Sequence, residues 1–138
     1  MLHHTSFAVK DYEKSLVFYD ETLALLGMER VYTMDKEIPE HGRLQWAGYG
    51  KGSDIPLWIT PNGKNDEAIG QARAVHFAFS APSVEAVHAW YEKALELGGT
   101  DNGAPGPRPH YGPHYYGAFI IDPSGWRLEA CFFNYQKE

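Results

Sequence analysis

Among the histidines and carboxylates of this sequence, His4, His76 and Glu129 form a set that could bind a divalent metal ion. Two imidazoles and one carboxylate make a facial donor set that leaves coordination positions open to water or substrate. Such a set suits Fe, Mn, Zn, Ni or Co, and residue type alone does not choose among them. Glu129 lies inside the apolar run Leu128-Glu129-Ala130-Cys131-Phe132. A carboxylate there is costly to bury unless it is paired or bound to a cation. Taken singly, a histidine at a strand start is more often a surface or hydrogen-bonded group, and Glu129 a rim residue. The register of the two histidines with a later inward carboxylate is what points to a metal.

That register comes from an internal repeat. Shifted by 72 residues, His4-Thr5-Ser6-Phe7-Ala8-Val9 falls on His76-Phe77-Ala78-Phe79-Ser80-Ala81. Phe18-Tyr19-Asp20 falls on Trp90-Tyr91-Glu92, and Leu23, Leu25 and Gly27 on Leu95, Leu97 and Gly99. Two copies of one supersecondary unit are implied, each too small to bury a core alone. Each copy opens with a strand. Thr5, Phe7 and Val9 share one face and His4, Ser6 and Ala8 the other; Val75, Phe77, Phe79 and Ala81 oppose His76, Ala78 and Ser80. The same alternation puts His3 on the convex side, away from His4. A helix follows each strand. Asp11 caps the first, with a stripe of Tyr12, Leu16, Tyr19, Leu23 and Leu26. Ser83 caps the second, with Val84, Val87, Tyr91 and Leu95. Gly27 and Gly99 are the expected stops.

Three further strands are expected in each copy. In the first they are Arg30–Lys36, Arg43–Tyr49 and Ile55–Thr60. In the second, one is poorly marked after Gly99; Tyr115–Ile121 and Trp126–Phe133 follow, joined by the turn Asp122-Pro123-Ser124-Gly125. Between Gly99 and Tyr115, the Gly- and Pro-rich run Asp101–His114 reads as an ordered functional loop.

Composition bounds the rest. The 138 residues suit one domain, and 12 Lys+Arg against 18 Asp+Glu give a net charge of −6, which disfavours nucleic-acid binding through a basic surface. A hydrophobic content of 43% excludes a disordered chain. The one cysteine, Cys131, excludes an intramolecular disulfide framework and a Cys-rich zinc site. No apolar run approaches about 18 residues, so no membrane span is expected. Met1-Leu2-His3-His4 shows no secretory signal pattern, and the expected location is cytoplasmic.

The segments Leu2–Tyr19, Ala74–Ser83 and Asp122–Glu129 together resemble the vicinal oxygen chelate superfamily, which includes glyoxalase I, fosfomycin- and bleomycin-resistance proteins and extradiol dioxygenases. The resemblance implies an α+β fold. Two tandem βαβββ modules, about 1–62 and about 73–135, form an open curved-sheet barrel around a metal or ligand cavity. It places His4, His76 and Glu129 at the family's ligand positions. Glyoxalase I has a fourth ligand, a carboxylate in the last strand of module one. Here Ile55, Leu57 and Ile59 take the helix-facing side, so Trp58 stands at that place, and an indole N–H donates rather than ligates. Extradiol dioxygenases often carry a tyrosine where this chain has Phe119, which counts against ring cleavage.

Candidate proton-transfer groups are His110 and His114 in the loop, and Arg108 is a candidate holder of a carboxylate or phosphate. Trp46, Trp58, Tyr115 and Phe119 are candidate cavity walls by strand parity. Cys131 shares the inward face with Glu129 and is read as packing. Two functions follow: a metal-dependent lyase, isomerase or dioxygenase-like enzyme acting on a small oxygenated metabolite, or a metal-free protein that sequesters an aromatic or drug-like molecule. A homodimer is expected, since open curved sheets expose edges and aromatic surface. If modules are exchanged between chains, His4 comes from one chain and His76 with Glu129 from the other.

Overall fold

The computed structural model describes residues 1–62 and 75–137; the expected start of module two, near residue 73, lies outside them. Ten elements run in the order β1 (Thr5–Val9), α1 (Tyr12–Ala24), β2 (Glu29–Ile38), β3 (Gly42–Lys51), β4 (Asp54–Pro61), β5 (Phe77–Ser80), α2 (Val84–Glu96), β6 (Thr100–Pro107), β7 (Tyr116–Ile121) and β8 (Arg127–Phe132). This is βαβββ twice. Each module forms its own open four-stranded sheet, β1-β4-β3-β2 and β5-β8-β7-β6. In each, the first strand lies parallel to the last, which the crossover helix permits, and the other pairs are antiparallel.

Both expected caps are present. The Asp11 side chain accepts from Lys14 N, and that of Ser83 from Ala86 N. The buried helix faces repeat at the same offset: Ser15, Phe18 and Thr22 in α1, Val87, Trp90 and Ala94 in α2. The α2 face is therefore rotated from the expected stripe, because Trp90 takes the centre of the core and Leu95 turns outward. Gly98 supplies the left-handed residue after α2, with φ 99°. Gly99 instead passes so close to Ala94 O that a Cβ would sit 2.7 Å from it. Val75 is exposed and precedes β5, and Phe133 is exposed beyond β8.

The run from Asp101 to His114 is only partly a loop. Its first half is β6, an edge strand paired to β7 with two register shifts. Gly and Pro are tolerated there because an edge strand need not satisfy both sides of its backbone.

The modules meet through the helix-facing side of β1. Phe7 packs on Phe77 and Trp126 with ring centroids 5.1 and 4.7 Å apart, and Trp126 Nε1 donates to Ala8 O at 2.7 Å. Asp122, in the turn before β8, is the polar tie. Its Oδ1 accepts from the backbone N–H groups of Ser124, Gly125 and Trp126, and its Oδ2 accepts from Tyr19 OH of α1 at 2.5 Å. Burial raises the Asp122 carboxyl above its ordinary range, although these donors pull it down. Native Asp122 thus holds a proton more readily than the unfolded chain does. Its contribution to stability is present at low pH and lost as pH rises through the native value. Urea titrations should therefore show wild type gaining stability relative to Asp122→Asn between about pH 7 and about pH 4; a pH-independent difference contradicts this.

Candidate functional site

The site begins with Glu129 on the inward face of β8. It is 2% exposed, so its charge needs partners. His76, just before β5, places Nε2 3.0 Å from Glu129 Oε1. Tyr115, just before β7, donates its hydroxyl to the other oxygen, Oε2. Burial and the bond to Glu129 hold the Tyr115 phenol well above its ordinary range, so it remains a proton donor. Gly117 leaves room for this arrangement: a Cβ there would lie 3.2 Å from Glu129 Oε2 and 3.3 Å from the Tyr115 ring. Phe119 pairs across the ladder with Glu129 and sets its ring 6.0 Å from that of His76.

The 3.0 Å contact is a hydrogen bond or ion pair as it stands, and its donor types are ones that a divalent ion accepts. Two ligands in adjacent positions of an octahedral ion, each about 2.1 Å from it, lie about 3.0 Å apart, which is the spacing of His76 Nε2 and Glu129 Oε1. Tyr115 fixes the orientation of the Glu129 carboxylate through its bond to Oε2. Among the described residues no three His, Cys, Asp or Glu side chains cluster tightly enough to complete a site.

His4 belongs to a separate cluster in module one. It lines a cavity of about 480 Å³ with His3, Ser6, Trp46, Trp58 and Thr60. The two modules superpose in register here. Ser6 pairs with Trp58 in β1 and β4, as Ala78 pairs with Glu129 in β5 and β8. Trp58 therefore stands where module two has its carboxylate, as the strand parity indicates. Its indole covers Gly48, where a Cβ would come within 2.7 Å of the ring, and it meets Tyr32 edge-on at 5.7 Å. Tyr32 was not singled out by the sequence, because β2 alternation alone does not show that its ring reaches across to β4.

The loop candidates are placed around module two. Arg108 Nη2 donates to Ala104 O at 2.7 Å, and the guanidinium lies 5.5 Å from the Phe119 ring. His110 stacks on Tyr111 at 4.1 Å, and Tyr111 meets Tyr115 edge-on at 5.2 Å. His114 is held by Tyr135 O, 2.9 Å from its Nδ1. Neither histidine is hydrogen-bonded to Glu129, whose partners are His76 and Tyr115. Cys131 is buried, its Sγ 3.6 Å from Phe79 O, and burial pushes its thiol up, which accords with packing. The sequence signalled Tyr115 only as a wall. Its role as hydrogen-bond donor follows once a buried carboxylate and a phenol are seen on one sheet face.

Two tandem βαβββ modules, each with its own four-stranded mixed sheet, define the α+β class to which this chain belongs. The chain belongs to the glyoxalase/bleomycin resistance protein/dioxygenase superfamily, whose family model matches residues 1–130. It is 33% identical, over 99% of its length and 98% of the relative's, to a probable lactoylglutathione lyase of Synechocystis. A glyoxalase/bleomycin resistance protein from Albidiferax ferrireducens superposes with a TM-score of 0.74 at 26% identity, covering 94% of this chain and 96% of that one. Glyoxalase I of Zea mays superposes with a TM-score of 0.71 at 25% identity over 95% of this chain, which spans 45% of the maize protein.

Removing the phenol oxygen leaves Glu129 Oε2 buried without its donor. Tyr115→Phe should cost about 1–3 kcal/mol of stability in urea titrations; a change within about 0.5 kcal/mol would show that the bond carries no weight.

Proposed function

We propose that the chain is a metal-dependent lyase or isomerase acting on a small metabolite with two neighbouring oxygens. The observation that carries this reading is the buried Glu129 carboxylate, spaced from His76 as adjacent metal ligands are and oriented by Tyr115. His76 and Glu129 would hold a divalent ion, Fe, Mn, Zn, Ni or Co, and His4 of a second copy would supply the third donor. This requires a homodimer, because in one chain His4 and the His76–Glu129 pair belong to different clusters. When bound, the ion acts as a Lewis acid toward the two substrate oxygens and stabilises an enolate or oxyanion.

The remaining roles fall to the chain's own groups. Tyr115 keeps Glu129 in one orientation. Trp46, Trp58 and Phe119 exclude water and flank the substrate. Arg108, steadied over Phe119, faces an anionic substituent. His110 moves the substrate proton, since its ring stack leads toward Tyr115, whereas His114 Nδ1 is engaged by the chain near the C-terminal end. The name of the Synechocystis relative belongs to this reaction class. The indole at Trp58 replaces the carboxylate that glyoxalase I uses, so the proposal concerns the class and not that substrate. The fold and charge suit a cytoplasmic protein; among the described residues no helix is long and apolar enough to cross a membrane.

One observation favours a second reading. Trp46 and Trp58 line the module-one cavity with aromatic surface, and Tyr32 packs edge-on against Trp58, as a metal-free binder of flat molecules would. Elemental analysis of protein purified without chelator separates the two. Near-stoichiometric metal that is lost in His76→Ala supports the enzyme; absence of metal together with tight dye binding supports the binder. Sedimentation at micromolar concentration should give a dimer, and a monomer refutes the shared site.

A further inference from the structure

We infer that His3 is a metal ligand, which with His4 makes a two-nitrogen pair that replaces the carboxylate missing at Trp58. The inference rests on the metal-dependent reading above and adds a residue to it. Alternation along an ideal strand sends His3 to the convex side. In the structure β1 begins only at Thr5, so alternation does not govern the two preceding residues. His3 is exposed, yet it lines the same cavity as His4, Ser6, Trp46, Trp58 and Thr60. Its Nδ1 lies 2.8 Å from His4 Nδ1, with the rings nearly perpendicular at 84°.

Two nitrogens facing at that distance have two explanations. One ring carries its proton on Nδ1 and donates to the other, or both present lone pairs to a shared cation. The spacing is close to that of His76 Nε2 and Glu129 Oε1, 3.0 Å, and to the roughly 3.0 Å between adjacent positions of an octahedral ion with ligands about 2.1 Å away. The other residues lining the cavity bear no charge that would compete for the lone pairs.

The internal repeat supplies an independent argument. His3 corresponds to Val75, which is 47% exposed and carries no donor. Trp58 corresponds to Glu129 by strand register. Module two thus has an aliphatic residue and a carboxylate where module one has an imidazole and an indole. Each module still presents two donors: His3 with His4, and His76 with Glu129. Replacing a carboxylate by an imidazole leaves the site one unit more positive, which favours an anionic, bidentate substrate and metals that accept nitrogen, such as Zn, Ni or Fe.

Metal-stripped dimer titrated calorimetrically with Zn²⁺, and X-ray absorption of the Zn²⁺-loaded protein, test this. His3→Ala should weaken Zn²⁺ binding at least about tenfold and reduce the imidazole ligands from three to two. His4→Ala and His76→Ala serve as comparisons. His3 is exposed and precedes the first strand, and circular dichroism checks that the variant folds. If His3→Ala binds like wild type while His4→Ala and His76→Ala lose affinity, His3 is only a hydrogen-bonded neighbour and the inference fails alone. If wild type binds no Zn²⁺, the inference and the metal-dependent reading fail together.

Discussion

Burying one carboxylate shapes the centre of this molecule. Glu129 lies in a strand whose neighbours Leu128, Ala130 and Cys131 are also buried, and a charge in such surroundings must be met by donors or a cation. Tyr115 meets one oxygen and His76 the other. Those two partners come from the starts of different strands, so β5 and β7 must both lie in register with β8. The missing side chain at Gly117 and the ladder pairing of Phe119 serve the same requirement. Asp122, seven residues before Glu129, repeats the logic at the junction of the modules, where Tyr19 and three N–H groups satisfy it.

Duplication gives module one the same frame with different chemistry. Strand register places Trp58 over Glu129, Gly48 over Phe119 and Trp46 over Gly117. Where module two has a ring beside a carboxylate and a glycine beneath it, module one has a glycine beneath an indole. Space is conserved while polarity is exchanged. One face becomes a donor pocket and the other an aromatic slot edged by imidazoles. Neither face completes a metal site within the chain's described residues, which is why association of two copies matters to the proposed chemistry.

Much of the frame was legible because it rests on local rules applied twice. Both caps, the first helix stripe and the Asp122–Gly125 turn follow from residue type and spacing, and the offset of 72 residues pairs the two opening strands. The family resemblance extended this to module order. What stayed hidden depends on contacts between elements. β6 is built from Gly and Pro and pairs with two register shifts, so no alternation marks it. Trp90 turns the α2 face by filling a space that only tertiary packing defines. Tyr115 could be placed on the right sheet face but not on the Glu129 oxygen. His3 departs from the alternating rule because it precedes the strand.

The most direct measurement is anomalous diffraction from crystals of the protein grown with a divalent transition metal. Convergent half-sites predict an anomalous peak within coordination distance of His76 and Glu129 of one copy and His4 of the other, with Tyr115 still bonded to Glu129. Peaks lying elsewhere, or Glu129 held by protein partners with no ion beside it, would contradict the shared metal centre.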